Sequence, residues 1–263
     1  MTVAPTQPFS PPPSPLKTRQ ILGVQFFTGT PDEAVDIGLR GGLVVVPAAP
    51  ALIELGQDAD YRESLLRSDL AITDSGLMVL LWRLQRGEKL IRVSGLEYLR
   101  LLLERPGMKS AGKICWIMPT ATARDRTVDW LRKQGFECSA EDCYLAPMYP
   151  RGPVVDEKLL GWLEQRRPEQ IIVGLGGGTQ ERLGLYLRDH LSFRPGIHCI
   201  GAAIGFLTGE QVNIPPWADY LFLGWLFRCF GEPGKFLPRY WRARKLVGLM
   251  WRHGENLPPL DAR

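Results

Sequence analysis

The apolar residues of this chain form short continuous runs, separated by longer stretches with helical spacing. Five runs are bounded by Gly, Pro or polar residues, at 42–46, 69–73, 113–118, 170–176 and 196–203. Continuous rather than alternating apolar runs are typical of strands buried on both faces of a parallel sheet. The stretches between them are long enough to hold the helices of right-handed crossovers.

The helical stretches often begin at polar or acidic positions, as in Thr30-Pro31-Asp32-Glu33, which is typical of a helix start. The predicted helices are 31–40, 49–67, 75–86, 95–104, 121–135, 155–166 and 179–191. The predicted fold class is therefore α/β: a doubly wound, mostly parallel sheet flanked by helices, Rossmann-like, with a C-terminal helical appendage.

The two ends of the chain depart from this pattern. Residues 1–18 contain six prolines and no apolar run, so they predict a disordered lead-in rather than a signal peptide. Residues 19–209 form the predicted α/β catalytic domain, and 210–263 a basic, aromatic, amphipathic appendage. Residues 228–263 carry eight Lys and Arg against three Asp and Glu, a net charge of +5, whereas the whole chain has a net charge of +4.

This charge and aromatic content indicate a surface attracted to anionic lipids or diphosphates. The alternative is that the aromatic residues pack on the main domain while the arginines face water. No stretch reaches about 18 uninterrupted apolar residues, so no transmembrane helix is predicted. The expected location is cytoplasmic, peripheral at the inner face of the cell membrane.

Composition also argues against several classes of site. The five cysteines are scattered and the three histidines lack ligand spacing, so neither a disulfide framework nor a metal site is predicted. A nucleophile elbow, a Cys-His arrangement and a Walker A motif are absent from the sequence. We therefore predict no cofactor, no hydrolase chemistry and no nucleic-acid partner.

The ligand site of an open parallel sheet lies outside the carboxyl ends of its strands. Asp74 directly follows the run 69–73 and precedes a helix. A carboxylate there is well placed to act as a general base. The alternative is a helix N-cap, for which Asp is a preferred residue, and the two roles are compatible.

Two further loops carry candidate ligands for a phosphate or sugar. Arg92 can clamp a phosphate or carboxylate, and Ser94 can cap the next helix, although a solvated surface arginine is the alternative for Arg92. The turn 174–181 is rich in glycine, which lets an anion approach backbone N–H groups at a helix start. Thr179 breaks the dinucleotide-binding frame, and a tight left-handed connection is the alternative reading of this turn.

Taken in order, these loops resemble the WecG/TagA/CpsF family of bacterial glycosyltransferases. The likeness covers about residues 20–245 and rests on five motifs in the family's order. They are TDSGLMV at 73–79, RVSGLE at 92–97, GLGGGTQE at 174–181, GAAIGFLTG at 201–209, and PPW at 215–217 with WLFR at 225–228.

The resemblance implies an inverting, metal-independent transferase that moves a sugar from a UDP-sugar to a polyprenyl-diphosphate-linked sugar acceptor in cell-surface polysaccharide or exopolysaccharide synthesis. It assigns the catalytic base to Asp74 and places Arg228 near the leaving diphosphate. The implied substrate-binding residues are Thr73, Arg92, Ser94, Gly174, Gly176, Gln180, Glu181 and Arg228.

The sequence also departs from the family pattern. Val46-Pro47-Ala48 replaces the family's T-P-N, and Asn213 stands where an arginine is common. Ala203 and Ile204 replace paired glycines, and Thr208 lies near the position of a lost carboxylate. These changes favour an alternative, a non-catalytic relative that binds a lipid-linked sugar or an assembly partner. A nucleotide-dependent oxidoreductase lacks its fingerprint here, and a homo-oligomer is compatible with the sequence.

Overall fold

A computed structural model describes residues 16–201, 203–209, 234, 238 and 241–261. The predictions for Arg228, Asn213 and most of the lead-in and appendage lie outside these described residues.

The described residues form a single sheet of eight short strands. They are β1 (Thr18–Ile21), β2 (Val24–Phe27), β3 (Gly42–Val45), β4 (Leu70–Ala71), β5 (Ile114–Met118), β6 (Cys143–Leu145), β7 (Gln170–Val173) and β8 (Gly196–Cys199). Their order across the sheet is β1-β2-β4-β3-β8-β7-β5-β6. Only the β1–β2 pair is antiparallel within the described sheet. The predicted mostly parallel α/β architecture is confirmed.

Helices cover both faces of this sheet. They are α1 (Pro31–Gly38), α2 (Ala49–Leu52), α3 (Ala59–Leu66), α4 (Gly76–Arg86), α5 (Gly95–Glu104), α6 (Ala121–Lys133), α7 (Glu157–Arg166), α8 (Thr179–His190), α9 (Ala203–Leu207) and α10 (Lys245–His253). One buried apolar cluster joins the sheet to α2, α3, α4, α7, α8 and α10, and a second joins it to α1, α5, α6 and α9. The sheet is therefore doubly wound, as predicted.

Local chemistry explains where the observed elements differ from the predicted ones. The predicted helix 49–67 is divided into α2, a 3₁₀ turn and α3 because Asp58 accepts a hydrogen bond from Tyr61 N and starts a new helix. The predicted strand 196–203 ends at Cys199, since Gly201 has a φ of +60° and turns the chain into α9. The strands β1, β2 and β6 were not predicted, because none of them has a continuous run of buried residues, and β1 and β6 are the edge strands of the sheet.

A buried polar network fastens α5 to the sheet. His198 on β8 lies between Gln170 on β7 and Tyr98 on α5. The Gln170 amide oxygen can only accept, so His198 Nε2 donates to it at 2.8 Å and Nδ1 accepts from the Tyr98 hydroxyl at 2.9 Å. This arrangement requires a neutral imidazole, and burial lowers the pKa of His198 to about 3.

Acidification is therefore expected to destabilise the fold through His198. The unfolded chain takes up a proton near pH 6.5, whereas the folded chain does so only near its lowered pKa of about 3. The free energy of unfolding is therefore unaffected by His198 above about pH 6.5 and falls by about 1.4 kcal/mol per pH unit below it. The loss reaches about 2 kcal/mol at about pH 5. Urea unfolding near pH 7 and pH 5 should show that wild type loses about 2 kcal/mol more than His198→Gln. Equal losses in the two proteins would contradict a neutral His198.

Candidate active site

Four loops meet at the carboxyl edge of the sheet. The strands β4, β3, β8 and β7 are neighbours, so the loops that follow them lie side by side. Each of these loops leads into the start of a helix, at α4, α2, α9 and α8 respectively. The chain leaves β3 towards β4 on one side, and β8 pairs with β3 on the other, which makes this point a topological switch of the kind that holds ligands.

Asp74 is partly exposed at this edge, and its carboxylate is not the cap of its own helix. Ser75 is the N-cap of α4, since its Oγ accepts a hydrogen bond from Met78 N at 3.2 Å. Asp74 Oδ1 instead accepts from Gly95 N, the first residue of α5, at 3.0 Å. The positive end of the α5 dipole therefore faces a negative carboxylate. The sequence left two roles open for Asp74, general base and N-cap of α4, and the N-cap is the neighbouring Ser75.

The segment 91–95 is fastened to the end of β4 by Thr73 and Asp74. The buried Thr73 hydroxyl donates to Ile91 O at 2.6 Å and accepts from Val93 N at 3.3 Å. Arg92 Nε donates to the backbone oxygen of Asp74 at 2.8 Å, so the predicted arginine and the predicted base are in contact.

Ser94 is the N-cap of α5, where its Oγ accepts from Glu97 N at 3.1 Å. This confirms the predicted cap. The Thr73 and Ser94 side chains hydrogen-bond to backbone groups of residues 91, 93 and 97, so they position the segment that carries Arg92 and Gly95. Their direct contact with a substrate stays a prediction.

Gly95 connects Asp74 to the other loops of this edge. A Cβ atom at Gly95 would lie 3.1 Å from Val46 Cγ1, 3.7 Å from Ile200 O and 3.9 Å from Asp74 Oδ1. The loops after β3, β4 and β8 are thus within van der Waals reach of one point. Val46 presents a methyl group to this point.

The glycines of the turn after β7 differ in backbone conformation and in the space around them. Gly178 has a φ of +91°, which favours glycine and supports the tight-connection reading at that position. Among the described residues, no atom outside the adjoining chain lies within 4 Å of a Cβ placed at Gly176 or Gly178, so that part of the chain leaves space beside both backbones. At Gly174, by contrast, a Cβ would lie 3.4 Å from Ile117 O. Gly174 therefore packs closely against β5, and the open part of the turn begins at Gly176.

Gln180 and Glu181 lie beneath this turn with only 2% and 1% of their surfaces exposed. The Gln180 amide donates to Cys199 O at 3.1 Å and to Glu181 Oε1 at 2.9 Å, and its oxygen accepts from Gly201 N at 2.6 Å. Glu181 Oε2 accepts from Gly178 N at 2.6 Å. The pair joins the turn after β7 to the turn after β8, and contact with a donor sugar stays a prediction for both.

A buried arginine that the sequence reasoning missed completes this arrangement. Arg182 Nε donates to Gly178 O at 3.0 Å, and its Nη1 binds the backbone oxygens of Pro150 and Gly152. Burial raises the pKa of Glu181, while hydrogen bonds from Gln180 and Gly178 and the Arg182 charge oppose that shift. A positive guanidinium thus lies directly behind the glycine turn. Its only sequence signal is its place in the first turn of the helix that follows the glycines.

No group of three or more His, Cys, Asp or Glu able to hold a metal ion occurs in the part of the chain that the structure describes. Within the same part, no helix is both long and apolar enough to cross a bilayer.

An open α/β sheet whose switch point carries a carboxylate, an arginine and a glycine-rich turn has the arrangement of an α/β protein that binds its ligand at this edge. The family model described as Glycosyl transferase WecG/TagA/CpsF family matches residues 19–257. The chain belongs to this family, whose members are glycosyltransferases of cell-surface polysaccharide synthesis. No match was found among curated proteins.

Proposed function

We propose that this protein is an inverting glycosyltransferase that uses a UDP-sugar donor and a polyprenyl-diphosphate-linked sugar acceptor. The observation that carries the proposal is the position of Asp74. Asp74 is partly exposed at the switch point, its carboxylate is held by Gly95 N rather than by its own helix, and its backbone oxygen accepts a hydrogen bond from Arg92.

The proposed reaction is a single displacement. An acceptor hydroxyl oxygen attacks the anomeric carbon of the donor, and its proton passes to the Asp74 carboxylate. The bond between the anomeric carbon and the diphosphate oxygen breaks at the same time, and UDP leaves with the electron pair. Attack from the face opposite the leaving group inverts the anomeric centre.

Protein cations and backbone N–H groups are proposed to stabilise the leaving diphosphate without a metal ion. Gly178 N already donates to Glu181 Oε2, so the backbone of Gly176 and Gly177, directly before α8, is proposed to supply the N–H groups at a helix start whose dipole favours an anion. Arg92 and Arg228 are the proposed guanidinium partners of the diphosphate. The buried charge of Arg182, which holds the oxygen of Gly178, adds a positive field behind the same turn.

The protein is proposed to work at the inner face of the cell membrane, which its C-terminal appendage, 210–263, contacts. The described part of this appendage has one side packed on the domain and another side exposed, so it fits both interpretations of its sequence. On α10, Leu246 and Met250 are buried in the core, whereas Trp251 is 68% exposed. One face of the helix therefore belongs to the domain, and the other is available to a lipid surface.

A non-catalytic relative is the second candidate, and two residues at the site favour it. Val46 places a methyl group beside Gly95 and Asp74 where the family has a hydroxyl. Ala48 is the N-cap of α2 but makes no side-chain hydrogen bond there, whereas an asparagine would be a strong cap. Both changes remove polar groups from the loop after β3.

Release of UDP distinguishes these candidates. The purified protein is mixed with a panel of UDP-sugars, with and without a short polyprenyl-diphosphate-sugar acceptor, and donor binding is followed separately by calorimetry. The proposal expects release that depends on the acceptor for at least one donor. Binding of a UDP-sugar or of the acceptor without any turnover would instead support the non-catalytic relative.

A further inference from the structure

The outer faces of α4 and α10 expose large apolar side chains on adjoining helices. On α4, Leu80 is 50% exposed and Leu84 is 69% exposed, and their spacing places them on one side of the helix. On α10, Val247 is 41% exposed and Trp251 68% exposed, with the same spacing. We call these four residues, with the basic residues around them, the α4–α10 face.

The two helices share one buried core, and backbone hydrogen bonds fix the turn after α10 to a neighbouring hairpin. Leu246 and Met250 of α10 belong to the same buried cluster as Met78 and Trp82 of α4. The turn after α10 is bound to the β1–β2 hairpin, since Leu22 N and Gly23 N donate to the oxygens of residues 254 and 255 at 2.8 Å. The α4–α10 face is therefore a fixed feature of the fold.

The charge of this face has one sign. Neither α4 nor α10 contains an Asp or Glu, and together they carry the basic residues Arg83, Arg86, Lys245 and Arg252. Arg244, directly before α10, lies over the ring of Trp241 at 3.9 Å from its centroid. Two acids near this face have basic partners: Glu88 pairs with Arg19, and Glu255 pairs with Arg86.

Exposed leucine and tryptophan interleaved with arginine and lysine, without acids, match the chemistry of an anionic lipid headgroup layer. We propose that the α4–α10 face docks on an anionic bilayer, so that a helix of the catalytic domain itself contacts lipid. The new element is α4, which contributes Leu80, Arg83 and Leu84.

This position of α4 links the lipid surface to the candidate site. α4 begins two residues after Asp74, and a rise of about 1.5 Å per residue places Leu80 and Leu84 roughly 6 and 12 Å along the helix from its start. Docking through α4 thus holds the carboxyl edge of the sheet close to the headgroups. The inference rests on the proposed function only in supplying a reason for that proximity, namely a lipid-linked acceptor.

Cosedimentation with vesicles tests the proposal on the full chain. Vesicles of phosphatidylglycerol and phosphatidylcholine are compared with vesicles of phosphatidylcholine alone. We expect binding to the anionic vesicles and a loss of at least about tenfold in Leu80→Ser/Leu84→Ser, because each leucine loses an apolar group that enters the lipid. The matched control, Leu66→Ser/Val155→Ser, changes two exposed apolar residues elsewhere and should bind within about twofold of wild type.

Three results would overturn the proposal: no binding of wild type to anionic vesicles, unchanged binding of Leu80→Ser/Leu84→Ser, or an equal loss in the control. The face would instead be assigned to a second copy of the chain by two results together. Wild type would be an oligomer, and Leu80→Ser/Leu84→Ser would have a lower mass than wild type but the same vesicle binding. Urea unfolding of each variant shows that the fold is retained, which the exposure of Leu84 leads us to expect.

The vesicle measurement contains no donor and no acceptor, so it stands even if the proposed reaction fails. Where UDP release is observed, Leu80→Ser/Leu84→Ser should keep its rate with a short soluble acceptor and lose at least about tenfold with a long-chain acceptor in anionic vesicles. Equal rates of wild type and variant on the vesicle-held acceptor would count against docking through α4.

Discussion

Asp74→Ala and Asp74→Asn are expected to lower kcat for acceptor-dependent UDP release by about 10²- to 10⁴-fold, the usual contribution of a general base. Asp74→Asn keeps the size of the side chain and an oxygen that can accept the hydrogen bond from Gly95 N, but it cannot take the acceptor proton. Donor binding should change little, since the proposed donor contacts lie on other residues. Steady-state kinetics and calorimetry of both variants measure the two effects separately.

Asp125→Asn provides the matched control for this experiment. Its carboxylate is exposed on α6 and pairs with the adjacent Arg124, and α6 follows β5, which is not one of the four strands whose loops meet at the candidate site. We expect its kcat to equal that of wild type. A full rate in Asp74→Asn would assign the base to another residue and remove the observation that carries the proposed function.

Gln180→Leu is expected to produce the largest loss of stability among the site residues. The substitution removes three hydrogen bonds, and it leaves Gly201 N and Glu181 Oε1 without these partners in a buried setting. Unsatisfied buried polar groups cost about 1–3 kcal/mol each, so we expect the free energy of unfolding to fall by about 3 kcal/mol or more. Urea unfolding at neutral pH measures this change.

The same substitution should also raise KM for the donor, because the turns after β7 and β8 lose the side chain that joins them. Gln165→Leu, on the exposed face of α7, is the control and should lie within about 0.5 kcal/mol of wild type. An unfolding free energy of Gln180→Leu equal to that of the control would show that the buried network does not hold these turns.

The sequence predicted the sheet and most of its helices because their signals are local. The starts of α4 and α5 follow from serine caps, and both lie within one residue of the predicted positions. All five predicted buried runs contain strands, since parallel strands covered on both faces must be continuously apolar. The marginal strand β1 has mostly exposed side chains, so its sequence carried no such signal.

The candidate site was predictable as a set of loops but not as a set of contacts. The order of strands brings residues 74, 95, 178 and 201 together, and that order depends on crossovers that no single segment encodes. Whether Asp74 or Ser75 caps α4 depends on backbone geometry, which a sequence containing both residues leaves open. The burial of Gln180 and Glu181 follows from the packing of α8 against β8, which is a tertiary property.

The α10 helix shows the same limit at the end of the chain. Its sequence supports both a membrane face and a packed helix, because Leu, Met and Trp serve either role. Packing divides the residues: Leu246 enters the core, while Trp251 stays outside.

The anomeric configuration of the product tests the central claim, that an acceptor hydroxyl deprotonated by Asp74 displaces UDP in one step. Wild-type protein is incubated with a donor that it turns over and with the short polyprenyl-diphosphate-sugar acceptor, and the new glycosidic linkage is assigned by NMR. The account predicts a linkage of opposite configuration to the sugar in the donor. A linkage of the same configuration would contradict a single displacement and would require a different role for Asp74.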